Sequence, residues 1–114
     1  SVPSHCSLMK PAADELAKKL AELDVQSPEV MVINNVDVAS PTDADSIRDA
    51  LTRQLYQPVR WVEVIQSMNK QGIQTVIESG PGKVLAGLNK RIIKTMNALP
   101  VYDPDTLTTA LSVK

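Results

Sequence analysis

Phenylalanine is absent from this 114-residue chain, and its aromatic residues are one Trp and two Tyr. Any core must therefore be built from Leu, Ile, Val, Ala and Met rather than from large rings. A single cysteine excludes an internal disulfide and points to a reducing compartment, with the cytoplasm as the expected location. One His and one Cys leave no second ligand pair at a usable spacing, so neither a metal nor another cofactor is expected. The formal charge of −1 argues against nucleic acid, whose phosphates demand an excess of Lys and Arg. No apolar run approaches the roughly 20 residues that cross a bilayer, and no signal peptide is visible, so no membrane partner is expected. Gly-x-Ser-x-Gly occurs nowhere, so a base of the hydrolase or acyltransferase kind would find no nucleophile within these residues. What remains is a soluble globular chain, long enough for one compact domain.

The pattern that is present alternates helices with short strands. Lys10-Pro11 opens a helix, Pro being tolerated in the first turn, and Ala13, Leu16, Ala17, Leu20 and Leu23 follow at helical spacing. Val30 to Ile33 reads as a short buried strand. Pro41-Thr42-Asp43 supplies turn and cap chemistry for a second helix with an inner stripe of Ile47, Ala50, Leu51 and Leu55, stopped by Pro58. A third helix begins near Val59, carries Trp61, Val64, Ile65 and Met68 on one face, and closes at Gly72. Thr75 to Glu78 is a strand, Gly80-Pro-Gly82 turns the chain, and a fourth helix carries Leu85, Leu88, Ile92 and Met96. Ala98 to Tyr102 reads as a last strand, and a short capped helix starts at Asp103-Pro104. This order predicts an α/β fold with a parallel sheet. Three short strands leave two open edges, which invite pairing with more chain, so the sequence is expected to be part of a larger protein. It contains no internal repeat, low-complexity segment or linker.

His5 is the natural candidate for chemistry, because a neutral imidazole is the default general base near pH 7. A lone loop histidine is more often a solvated or hydrogen-bonded side chain than a base. Cys6 beside it is poorly placed for a thiol–histidine pair, since neighbours on extended chain project to opposite faces; it reads as a small buried residue. Gly80-Pro81-Gly82-Lys83 resembles a phosphate loop only superficially. The Walker pattern needs Gly at 77 and Ser or Thr at 84, where Ile77 and Val84 stand. A strand–turn–helix corner remains, whose N–H groups either face an anion or simply make a tight turn. Lys83, Lys90, Arg91 and Lys94 give the fourth helix a basic side, either solvated or a docking face for an acidic protein. Gln54 and Pro58 are linked by helix arithmetic: in a continuous helix the N–H of residue 58 would bond the carbonyl of Gln54. Proline has no N–H, so that carbonyl takes another donor: water, a side chain, or the second ring N–H of a catalytic histidine.

The segment Ser1-Val-Pro-Ser-His5-Cys-Ser-Leu-Met-Lys-Pro-Ala-Ala-Asp14 resembles the histidine segment of the bacterial malonyl-CoA:acyl carrier protein transacylases. The resemblance continues in order through Asn34-Asn-Val-Asp37, Ile47-Arg-Asp-Ala-Leu51, Arg53-Gln-Leu-Tyr56, Gly80-Pro-Gly-Lys-Val-Leu85 and Lys90-Arg-Ile92. It implies that residues 1–114 are the C-terminal segment of a large α/β-hydrolase-like acyltransferase domain, without its nucleophile-bearing part and its inserted ferredoxin-like subdomain. The implied activity is ping-pong transfer of malonyl from coenzyme A to a serine and on to the phosphopantetheine thiol of acyl carrier protein, in fatty-acid synthesis. His5 then matches the general base and Gln54 the residue whose main-chain carbonyl orients it. Lys90, Arg91 and Lys94 become candidate contacts for the carrier protein. The serine, the oxyanion hole and the arginine for the malonyl carboxylate lie outside the chain, and Arg48, Arg53 and Arg60 do not inherit that arginine's role. The expected partners are malonyl-CoA, acyl carrier protein and the remaining N-terminal part of the same enzyme. The isolated chain is expected to be inactive. Rival readings are a stand-alone, non-catalytic α/β binding module and a segment of a polyketide-synthase acyltransferase.

Overall fold

The computed structural model describes residues 3–113; Ser1 and Val2, which open the histidine segment, and Lys114 lie outside the described residues. The chain divides into two compact units, one running up to Val64 and the other from Ile65 onward.

In the first unit a single 3₁₀ turn, Ser7–Met9, leads into α1 (Lys10–Ala21), which packs against α2 (Ala44–Gln54). Pro11 sits in the first turn of α1, where a missing N–H costs nothing. Ala13, Leu20, Val36 and Ala50 form the buried interior of this unit together with Val64. Asp43 caps α2 by accepting the Ser46 N–H at 2.8 Å, as the sequence predicts. The division between units falls within α3 (Trp61–Lys70). Gly72, at φ +84°, ends that helix as expected, with the Ile73 N–H reaching back to the Met68 carbonyl at 3.1 Å.

The second unit is a β–α–β–α run. Strands β1 (Thr75–Ser79) and β2 (Asn97–Val101) pair in parallel, Thr75 opposite Asn97 and Ser79 opposite Val101, and α4 (Val84–Ile92) connects them. The last helix, α5 (Pro104–Leu111), packs on β2. Its start is a capping box: Asp103 accepts the Thr106 N–H, and the Thr106 side chain takes the Asp103 N–H. Ile65, Ala86, Met96, Ala98 and Ala110 are buried.

Three details differ from the sequence reading. Val30 to Ile33 is not a strand: Val30, Met31 and Val32 are 72, 66 and 56% exposed, and no neighbouring strand pairs with them among the described residues. A strand exists only where a partner takes its N–H and C=O groups, and an apolar run alone supplies none. The observed sheet therefore has two strands. Helix α4 stops at Ile92, leaving Met96 buried but outside it, and its buried positions are Ala86 and Asn89 rather than Leu85 and Leu88. Leu23 and Leu51, placed on inner stripes by their spacing, are exposed.

Candidate active site

His5 is exposed and adopts φ +55°, a left-handed conformation that L-residues enter at a cost of about 1–2 kcal/mol. Its Nδ1 lies 2.8 Å from the main-chain oxygen of Gln54, 49 residues further along the chain. A carbonyl oxygen only accepts, so Nδ1 carries the hydrogen, and in the neutral ring the lone pair is on Nε2. An imidazole held in that tautomer is a base through Nε2.

Helix packing brings the two residues together. Arg48 on α2 donates from Nε to the Leu20 carbonyl (2.9 Å), which also accepts the Leu23 N–H (3.2 Å), and from Nη2 to the Leu23 carbonyl (2.7 Å), so its guanidinium holds the end of α1. At the other end of α1 the Lys10 ammonium lies 5.2 Å from the centre of the Tyr56 ring, a cation–π contact two residues beyond Gln54. Lys10 also pairs with Asp14. Both ends of α1 are thus tied to α2 or the turn after it, and His5 stands one short turn before α1.

Gln54 ends α2 in the way the proline arithmetic requires. The N–H groups of Tyr56 and Gln57 both reach the Arg53 carbonyl, at 3.2 and 3.0 Å. The next donor in sequence would serve Gln54, but position 58 is proline and has none. The Gln54 carbonyl accordingly receives His5. The Gln54 side chain makes a separate tie, in which Oε1 accepts the Asn35 N–H at 3.1 Å, and the Asn35 carbonyl in turn accepts the Arg60 N–H at 3.0 Å.

Each of the three arginines near this site is occupied by a partner within the chain. Arg53 grips both oxygens of Asp37 (Nη1 to Oδ1 2.8 Å, Nη2 to Oδ2 2.6 Å) and donates from Nε to Asp49 at 2.7 Å. Those hydrogen bonds hold the Asp37 carboxyl below the usual carboxylate range and raise the Arg53 guanidinium further above its own. Arg48 is spent on α1 and on Asp45, and Arg60 pairs with Glu63. None is left as a free cation for a substrate carboxylate. Cys6 is half-buried, with its thiol directed at the Pro3 carbonyl at 3.5 Å rather than at His5.

At the Gly80-Pro81-Gly82 corner the question of an anion has an internal answer. Glu78, at the end of β1, accepts the N–H groups of Leu85 (3.1 Å) and Ala86 (2.7 Å), so a carboxylate of this chain occupies the start of α4. Spacing arguments missed Glu78 because the cap comes from the preceding strand and not from the adjacent residue. Asn35 and Asp37 were missed as well; Asn34-Asn35 signals a turn but not what the turn will grip. Lys90 and Arg91 are exposed in the last turn of α4 and Lys94 is exposed just beyond it. Among the described residues no carboxylate pairs with these three, no cluster of His, Cys, Asp and Glu could hold a metal ion, and no helix is long and apolar enough to cross a membrane.

No family model matches the chain. It is, however, 52% identical over 113 residues to the malonyl CoA-acyl carrier protein transacylase of Escherichia coli, a match that covers 99% of this chain and 37% of that protein. These matches identify the chain as C-terminal sequence of the malonyl CoA-acyl carrier protein transacylase family. Solved structures agree. An acyl carrier protein S-malonyltransferase from Vibrio cholerae superposes with a TM-score of 0.92 at 59% identity, over 96% of this chain and 36% of that one. A malonyl-transacylase in complex with a type II polyketide-synthase acyl carrier protein gives 0.93 at 52% identity, over 97% and 36%. The chain therefore spans little more than a third of the transacylases it matches, and its α/β fold is the C-terminal portion of theirs.

Proposed function

We propose that this chain is the C-terminal segment of the large domain of a cytoplasmic malonyl-CoA:acyl carrier protein transacylase, and that it supplies the general base of malonyl transfer. The observation that carries this reading is the 2.8 Å contact between His5 Nδ1 and the Gln54 carbonyl, made by an exposed imidazole. Nε2 takes the proton of a serine hydroxyl supplied by sequence outside this chain, as that oxygen attacks the thioester carbonyl of malonyl-CoA. The coenzyme A sulfur leaves and accepts the proton. In the second half the carrier protein's thiol gives its proton to Nε2 and attacks the malonyl-serine ester, and the serine oxygen is reprotonated as it departs. The Gln54 carbonyl plays the orienting part that a carboxylate plays in Ser-His-Asp sites, fixing the tautomer with a neutral acceptor. Lys90, Arg91 and Lys94, at and just beyond the end of α4, offer a basic face to an acidic carrier protein.

In the full-length protein, His5→Ala is expected to lower kcat for malonyl transfer by about 10²–10⁴, the usual worth of a general base. Mass spectrometry of the carrier protein's phosphopantetheine arm reads the product directly. Transfer at the unsubstituted rate would remove His5 from the reaction.

A further inference from the structure

We infer that Asp37 is a positioning residue for His5, acting through its two-pronged pair with Arg53 to hold the last turn of α2 and the carbonyl that orients the imidazole. Helix ends fray, and the final carbonyls of a helix are its least constrained. Here one of those carbonyls, on the last residue of α2, has to stay fixed within hydrogen-bonding reach of a ring. The loop over residues 34–39 acts as the splint. It meets consecutive residues of that turn, Arg53 through the Asp37 carboxylate and Gln54 through the Asn35 N–H.

The loop is stiff in its own right. Asn34 N–H bonds the Ala39 carbonyl at 2.9 Å, and the Asn34 side-chain oxygen accepts the Asp37 N–H at 2.8 Å. Val38 sits at φ +57°, a conformation that a β-branched residue adopts only where its surroundings dictate it. A strained loop gripping a helix end at two adjacent residues fixes position. The Arg53 and Asp37 side chains are 25% and 37% exposed, where an ion pair adds little to folding. Its effect should appear in geometry more than in stability.

The inference rests on the reading of His5 as the base, and the test separates the two. In the full-length protein Asp37→Ala should lower kcat about tenfold or more, the scale of a slightly misplaced catalytic group, with the KM for malonyl-CoA unchanged. Asp37→Asn, which keeps one oxygen for the guanidinium, should fall between wild type and alanine. Glu15→Ala, which breaks the exposed Lys18 pair on α1, is the control and should leave kcat alone. Histidine ¹⁵N spectra, with His5 assigned by its loss in His5→Gln, read the ring itself: wild type should show the Nδ1–H tautomer, and Asp37→Ala a shift toward Nε2–H. An Asp37→Ala protein with unaltered kcat, or with reduced kcat and an unaltered His5 tautomer, would overturn the inference. Should the alanine variant fail to fold, Asp37→Asn carries both measurements. If His5→Ala proves harmless, the base reading fails and the tautomer alone decides the role of Asp37.

Discussion

At the scale of single residues the site turns on a proline that acts by the hydrogen bond it cannot make. Gln57 N–H closes the last hydrogen bond of α2 onto Arg53, and Pro58 withholds the one that would follow. Restoring an N–H at this position creates a rival for the Gln54 carbonyl. In the full-length protein Pro58→Ala is therefore expected to lower kcat for malonyl transfer, because a share of molecules will lose the Nδ1 contact. The loss should be smaller than that of His5→Ala, which removes the proposed base itself. Gln54→Ala should be milder than both, since the acceptor is main-chain; what it removes is the side-chain tie to Asn35. Steady-state kcat for the three variants under one set of conditions gives the order. A Pro58→Ala enzyme as fast as wild type would mean that the carbonyl finds His5 without the proline's help.

At the scale of elements, what could be read from sequence was what is local. The caps at Asp43 and Asp103 sit beside the groups they bond, and Gly72 stands where a helix must end. The Gln54–Pro58 relation is also local, a matter of counting four residues. Unread features were those whose partners lie in a different element of the chain: the grip of Asp37 on Arg53, the cap that Glu78 of β1 lends to α4, the hold of Arg48 on the end of α1. Val30 to Ile33 failed for the related reason that apolarity specifies burial and not a pairing partner. Helix α4 shows both sides. Its basic residues were legible, its buried face was not, because Ala86 and Asn89 fill the inward positions while the larger Leu85 and Leu88 stay partly exposed. Glu78 holds the start of this helix, so the cations at its far end project from an anchored element. Reversing Lys90 and Arg91 to Glu in the full-length protein should raise the KM for acyl carrier protein and spare that for malonyl-CoA. The effect should be larger at low ionic strength, where exposed charges are least screened. Carrier-protein kinetics unchanged at low salt would reduce this face to a solvated surface.

At the scale of the whole chain, the proposed base and the nucleophile that malonyl transfer requires are separable. The histidine site is complete as a local structure: His5, Gln54, Asn35, Asp37 and Arg53 all lie within the first compact unit, and the hydrogen bonds that orient the ring come from these 114 residues. What acyl transfer needs beyond a base is a hydroxyl in a sharp strand-to-helix turn, with backbone donors for the oxyanion, and no Gly-x-Ser-x-Gly is present to make one. A positioned base without a nucleophile has no acyl-enzyme to form. The 114-residue chain, incubated alone with malonyl-CoA and phosphopantetheinylated carrier protein, should therefore transfer no more malonyl than a no-protein control, by mass of the carrier protein. His5→Ala in the same chain should change nothing, whereas in the full-length protein it should be severe. An Nδ1–H tautomer for His5 in the chain alone, read by histidine ¹⁵N spectra, would assign inactivity to the absent nucleophile and not to a misformed histidine site. Turnover by the chain alone at a rate comparable to the full-length protein would show that these residues hold a nucleophile of their own, and would end this division of labour.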